Sequence, residues 1–241
     1  MGAFLQDVKY GIRMLTKNPG FTAIAVLTLA LGIGANSAIF SIVHAVLLRP
    51  LPYPHADRLV VVREKGAEGL PTNTSYATFA DWRARSRSFN ELALASYWMG
   101  TLTGAGQPEQ IPALRVSANF FQTLGVPPAL GRDFVEEEDR PSTSHVVILT
   151  DGLWRRRFNA DPGIVGKSIT LNGESYAVVG VLPRDFQPLI AKGLRNIDAE
   201  LYRVLGYDPS LPWACRTCRH LAAIGRLHAG VSLSQARAEM D

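Results

Sequence analysis

The chain has little of what local chemistry is usually built from. Only two of its 241 residues are cysteines, Cys215 and Cys218. One Cys-x-x-Cys lacks the second ligand pair of a zinc ribbon, and His220 adds a third donor with no fourth in view. A redox pair of this spacing opens a helix after a strand. Here Pro212-Trp213 comes before it and a strand-like run follows. For an exported domain, a local Cys215–Cys218 disulfide is the expectation. Gly-x-Ser-x-Gly and His-Glu-x-x-His are both missing, and no nucleophile–base–orienter set is visible. Net charge is only +4. No basic stripe with interleaved aromatics accompanies it, so nothing argues for nucleic acid. Trp154-Arg155-Arg156-Arg157-Phe158 comes nearest, and it is expected as one exposed helix turn.

Charge is absent altogether from residues 21–48, FTAIAVLTLALGIGANSAIFSIVHAVLL. A membrane helix needs about 20 mostly apolar residues, so this stretch is long enough to span. It runs past Ala35-Asn36-Ser37, the best small-residue cleavage candidate, and exceeds a signal-peptide core of about 7–15 residues. An uncleaved anchor is expected. Ala30, Gly34 and Ala38 recur every fourth residue, and small residues at that spacing let a second helix approach. Asn36 and His44 are polar positions in the same stretch. Before it, Phe4, Leu5, Val8, Ile12 and Leu15 follow helical spacing, with Lys9, Arg13 and Lys17 on other faces. That is the pattern of a basic interfacial helix, and Asn18-Pro19-Gly20 breaks it. Flanking charge does not orient the span: Lys9, Arg13 and Lys17 precede it, and Arg49, Arg58, Arg63 and Lys65 follow.

Beyond the span, Pro50, Pro52 and Pro54 predict a stiff extended exit. Strands are predicted at 58–63, 91–97, 110–117, 145–150, 167–171, 175–181 and 220–227, and helices at 75–87, 118–124 and 151–158, with another starting at 232. Ser75 is the expected cap of the helix carrying the Tyr76, Phe79, Trp82 stripe, Asp151 that of the next long one, and Ser232 or Ser234 that of the last. Asn172-Gly173 predicts a two-residue type I′ hairpin. Asp133, Glu136, Glu137, Glu138 and Asp139 lack the alternation and mid-loop glycine of a calcium site, so a solvated acidic loop is expected. Gly166-Lys167-Ser168 is followed by a strand, which excludes a phosphate loop. Residues 186–219 look irregular and inserted. The last strand and helix have no following strand, as expected of a fragment or truncated reading frame.

Several stretches together resemble one family. They are Asp7-Val8-Lys9-Tyr10-Gly11-Ile12-Arg13, Asn18-Pro19-Gly20-Phe21, residues 29–36 (LALGIGAN), and Val116-Ser117-Ala118-Asn119-Phe120-Phe121. Leu124-Gly125-Val126-Pro127, Gly131-Arg132-Asp133-Phe134, residues 161–167 (DPGIVGK), Leu171-Asn172-Gly173 and residues 230–237 (GVSLSQAR) follow in order. As a set they resemble the MacB/FtsX-like ABC transporter permeases, in particular the periplasmic core domain. The resemblance implies an α+β fold: one N-terminal transmembrane helix, then a periplasmic mixed α/β domain of porter-like βαβ units with an inserted lobe. It implies a cytoplasmic amphipathic helix at 1–20, a transmembrane helix at 21–48 and a periplasmic core domain at 49–241. It also implies an inner-membrane location and a separate ABC ATPase subunit. A homodimer or paired permease, membrane lipid and a periplasmic adaptor are the further partners expected. No cofactor, metal or catalytic residue is expected, and Ala30, Gly34 and Ala38 would pack against other membrane helices. Two other readings of the residues stand beside it: a membrane-anchored hydrolase with a dispersed site, and a single-span binding or adaptor protein.

Overall fold

A computed structural model describes residues 2–43, 53–66, 68–104, 106–187, 198–212 and 214–240. They form two compact units, residues 1–51 and 52–241. His44, Arg49, Pro50, Pro52 and Trp213, and the side chains of Phe4, Leu5, Val8 and Ile12, lie outside the described residues.

The first unit holds helix α1 (Gly2–Lys17) and helix α2 (Pro19–Val43). Pro19 opens α2, where its missing N–H costs nothing. Thr22 closes the corner: its Oγ1 donates to Leu15 O at 2.7 Å and to Asn18 O at 2.9 Å. Within α2, residues Pro19–Ser41 are long and apolar enough to cross a membrane, and none of that stretch is buried in the protein.

The second unit is mixed α/β. Its strands are β1 (Leu59–Val62), β2 (Glu64–Lys65), β3 (Pro71–Thr72), β4 (Phe89–Thr103), β5 (Glu109–Val116), β6 (Leu130–Gly131), β7 (Val146–Leu149), β8 (Ser168–Leu171), β9 (Glu174–Val181), β10 (Leu201–Val204) and β11 (Ala222–Leu227). Its helices are α3 (Tyr76–Arg85), α4 (Phe120–Leu124), α5 (Asp151–Phe158) and α6 (Leu233–Met240). β2 and β3 form a small hairpin, and among the described residues the other nine strands make one sheet in the order β1-β11-β4-β5-β10-β7-β9-β6. β8 pairs with both β9 and β4. The pairings therefore close a ring through β4, β5, β10, β7, β9 and β8. Most neighbours are antiparallel, while β5–β10 and β7–β9 are parallel.

Side-chain alternation along these strands separates the core. One face carries Ala93, Ala95, Leu114, Val116, Tyr202 and Ile224 against Phe120 and Phe121 of α4. The other face holds two clusters. Leu102, Ile111, Leu149, Leu171, Tyr176 and Leu201 fill the ring beneath Leu153 of α5. Phe79 of α3 packs with Leu92, Leu94, Leu221 and Tyr207. The α3 aromatic stripe is thus core.

Several local expectations hold. Ser75 Oγ accepts from Thr78 N at 3.1 Å. Asn172 and Gly173 take φ of 53° and 83°, as a type I′ turn requires. Ser232, not Ser234, caps α6, accepting from Gln235 N. Four expectations need correction. The cap of α5 is Thr150, whose Oγ1 accepts from Leu153 N, because Asp151 is already helical and pairs with Arg155. The segment 186–219 is no appendage: it supplies β10, which lies between β5 and β7. Its four residues carry too little periodicity to announce a central strand. The 154–158 turn is not simply exposed. Arg156 pairs with Glu109 and Glu200, and Arg157 with Glu109, so acids neutralise the basic run. The acidic loop is also only partly solvated. Asp139 accepts from Ala118 N at 3.0 Å and from Gly206 N at 2.8 Å, and Phe134 is buried.

Candidate functional site

The second unit's first described residues are fastened into its core. Tyr53 is 7% exposed and meets Phe186 edge-on at 6.5 Å. Pro54 and His55 make a turn, with His55 in the left-handed region at φ 51°, leading into the 3-10 turn Ala56–Arg58. Two arginines hold this turn. Arg58 Nε donates to Leu227 O at 2.8 Å. Arg226, on β11 and only 8% exposed, reaches back across the same point. Its Nε donates to Thr123 O at 2.7 Å, and its Nη1 to Pro54 O at 3.0 Å and His55 O at 3.4 Å.

One guanidinium therefore ties the junction segment, the end of α4 and the sheet together. Only a planar fork with several donors can bridge carbonyls on separate segments. Gly125 makes room for it. As the cap of α4 it has φ 71°, and a Cβ there would fall 3.3 Å from Arg226 Nη2. Burial lowers the Arg226 pKa and the Arg58 charge adds to this, with Asp57 opposing. The group nevertheless stays charged, since arginine starts so far above neutrality. The junction is thus held by a cation bonded to backbone, with no carboxylate hydrogen-bonded to it among the described residues.

A second fastening lies on the α3 side. Cys215 and Cys218 are bonded to each other. The loop they close carries Arg216, and Arg219 follows directly after it. Arg216 Nη1 pairs with Asp81 of α3 at 2.6 Å, and Arg219 Nε with Glu64 of β2 at 2.5 Å. Burial pushes the Glu64 carboxyl up, but hydrogen bonds from Ser75 N, Thr74 and Arg219 outweigh it and hold the group below its ordinary range. His220 stacks on Tyr207 at 6.0 Å, and Tyr207 on Tyr76 at 4.1 Å. The loop acts as a strap over α3. Among the described residues no cluster of three or more His, Cys, Asp or Glu could hold a metal.

Ala30, Gly34 and Ala38 lie exposed on α2, and nothing comes within 4 Å of a Cβ placed on Gly34.

The residue stretches singled out by resemblance turn out to make corners. Leu94 N donates to Ser117 Oγ, which donates to Asn119 Oδ1, and Asn119 Nδ2 donates to Glu91 and Leu92 O. Arg132 pairs with Glu138, and Asp161 both caps Gly163 N and pairs with Lys167. The sequence matches the MacB-like periplasmic core domain over residues 22–241. The chain belongs to this family. The MacB-like core domain is a component of ABC transporter permeases and not a classical enzyme. Solved structures share the fold. The periplasmic region of MacB from Actinobacillus actinomycetemcomitans aligns with a TM-score of 0.56 at 13% identity, covering 76% of this chain and 79% of that one. A permease-protein domain from Porphyromonas gingivalis gives 0.55 at 17% identity, over 79% and 82% of the two chains. The extracellular domain of the noncanonic ABC-type transporter YknZ from Gram-positive bacteria gives 0.53 at 11%, over 75% and 88%. No curated protein matches the sequence.

In this MacB-like domain, sequence reasoning missed the Arg226 clamp. The available signal was an arginine inside the apolar run His220-Leu221-Ala222-Ala223-Ile224-Gly225-Arg226-Leu227. A cation on a buried strand has to be bonded, but its partners lie over a hundred residues away in the chain.

Proposed function

We propose that this chain is a permease component of an ABC transporter. ATP hydrolysis by a separate ATPase subunit is coupled through it to conformational change outside the cytoplasm and to export. Residues 1–20 lie on the cytoplasmic face, 21–48 span the inner membrane against lipid, and 49–241 form the periplasmic core domain. Ala30, Gly34 and Ala38 pack against other membrane helices of a homodimer or paired permease. A periplasmic adaptor engages the domain. Family membership supports this reading.

The observation that carries it is the clamp at Tyr53, Pro54, His55 and Arg226. To transmit a helix movement, a domain must hold its own first residues rigidly. Here they are bonded to the middle of the fold rather than trailing from its surface.

Fusions of alkaline phosphatase and of a fluorescent protein at Asp241 test the placement. An active phosphatase and a dark fluorescent protein are expected. The reverse pattern refutes a periplasmic domain. Pull-down of the full chain from membranes is expected to bring an ABC ATPase with it. A stable chain that brings none favours a single-span adaptor instead.

A further inference from the structure

The two ends of the β-ring differ. At one end α5 covers the opening: Leu153 is fully buried, and Arg156 joins Glu109 to Glu200. The other end carries two arginines. Register sets Arg115 of β5 beside Arg203 of β10, with Ser96 of β4 on Arg115's other side. Each arginine lies two residues beyond a ring-core residue, Ala113 and Leu201, so both share the inward face.

Arg203 is held in place. Its Nη1 donates to Tyr176 Oη at 2.9 Å, and its Nη2 to Ser144 Oγ at 3.1 Å and Ser144 O at 3.3 Å. Its guanidinium lies 5.0 Å from the Trp98 ring centre and 5.1 Å from that of Tyr176. The Trp98 ring is itself fixed, lying so close over Gly100 that a Cβ there would come within 2.9 Å. Glu174 at the rim is engaged by the Tyr176 hydroxyl at 2.9 Å and by His145 at 3.5 Å.

Arg115 is different. It is half-buried, and its side chain makes no hydrogen bond or ion pair with any described residue. The Nε atoms of both arginines are buried without a partner. Burial lowers the Arg115 pKa, and the Arg203 charge adds to it, opposed by nearby Tyr207. Like charges directly opposite on neighbouring strands are destabilising, and a half-buried cation without a counter-ion adds to the cost. An anion bridging the pair would offset both costs.

We propose that this mouth of the ring is an oxyanion site, where Arg115 and Arg203 together hold the carboxylate or phosphate group of a small solute. Barrel mouths are a recurring place for such ligands. Trp98 flanks the Arg203 guanidinium, and Ser96 adds a hydroxyl beside Arg115. Nothing in the coupling role requires this site, and it stands whether or not the chain works with an ATPase.

The test uses the full chain in detergent micelles. Thermal unfolding is followed by tryptophan fluorescence with sodium phosphate or sodium benzoate, each compared with sodium chloride at equal ionic strength and pH. An anion bound with a Kd of about 1 mM and supplied at about 10 mM raises the Tm of a domain this size by about 3–5 °C. Which salt does so separates a phosphate site from a carboxylate site. Arg115→Gln is expected to abolish the shift. Arg115→Lys keeps the charge but loses the fork, so it is expected to weaken binding about tenfold; it serves as the measure if the glutamine variant does not fold. The proposal is overturned if neither anion exceeds chloride. It is equally overturned if the folded glutamine variant, or in its absence the lysine variant, shifts as the parent does.

Discussion

Replacing Arg226 by methionine tests whether the junction is held as described. Methionine is an unbranched, adaptable side chain of similar reach, so packing is largely kept. The bonds to Thr123 O, Pro54 O and His55 O are lost. A hydrogen bond from a charged donor contributes about 1.5–3 kcal/mol, and the 3.4 Å bond to His55 contributes least. Set against this, the variant no longer buries a cation, which returns part of the loss. The net expectation is destabilisation by about 2–3 kcal/mol, or about 4–10 °C in Tm for a domain of this size. Arg226→Lys is expected to lose most of the same stability, because one ammonium on a flexible stem does not bridge the two segments. Thermal unfolding of the full chain in micelles measures the total. Amide hydrogen exchange at 53–58 and 120–126 measures where it is lost, and both stretches should exchange faster. A methionine variant within about 0.5 kcal/mol of the parent, below the loss of one ordinary hydrogen bond, with unchanged exchange there, would refute the clamp. A fully stable lysine variant would show that charge, and not the guanidinium fork, is what matters.

The α3 strap should depend on its disulfide. A loop this short restricts the unfolded chain by about 2 kcal/mol, so reduction, or Cys215→Ser with Cys218→Ser, is expected to lower the Tm by about 4–8 °C and to speed exchange in α3. Asp133 is pushed up to about 6, chiefly by burial. The folded state therefore binds its proton more tightly than the unfolded state, and stability falls as pH rises from about 4 to about 6. Asp133→Asn should flatten that slope in pH-dependent melts and gain about 1 kcal/mol at pH 7, the full linkage value being reduced for partial solvation. Tyr202 is fully buried, and its hydroxyl has no hydrogen-bond partner among the described residues. Tyr202→Phe should leave stability unchanged or raise it by up to about 1 kcal/mol in chemical denaturation; a loss above that would reveal a partner for the hydroxyl. Gly34→Leu should leave the core domain's Tm unchanged but reduce self-association or recovery of the ATPase in pull-downs, the mark of a packing face on α2.

Where information was local, the sequence alone determined most of the outcome, the cap of α5 excepted. A run without charge announced α2, because burying one ion in hydrocarbon is costly enough that composition suffices. Asn172-Gly173 announced the β8–β9 turn, since few residues tolerate φ near 53° and 83° in succession. Ser75 announced the start of α3 for an equally local reason, a side-chain oxygen facing an orphan amide. The tertiary structure alone decided what depends on distant segments. β10 is four residues long, and only its neighbours β5 and β7 make it a central strand. The basic turn at Arg155, Arg156 and Arg157 could not reveal that Glu109 and Glu200 would neutralise it. Arg226 and Arg115 look alike in sequence, each a single arginine in an apolar strand. Folding brings three carbonyls to Arg226 and turns it into a clamp. It brings Arg203 to Arg115 and leaves Arg115 without a counter-ion among the described residues. An arginine takes its role from what surrounds its guanidinium, and those surroundings exist only once the chain has closed around it.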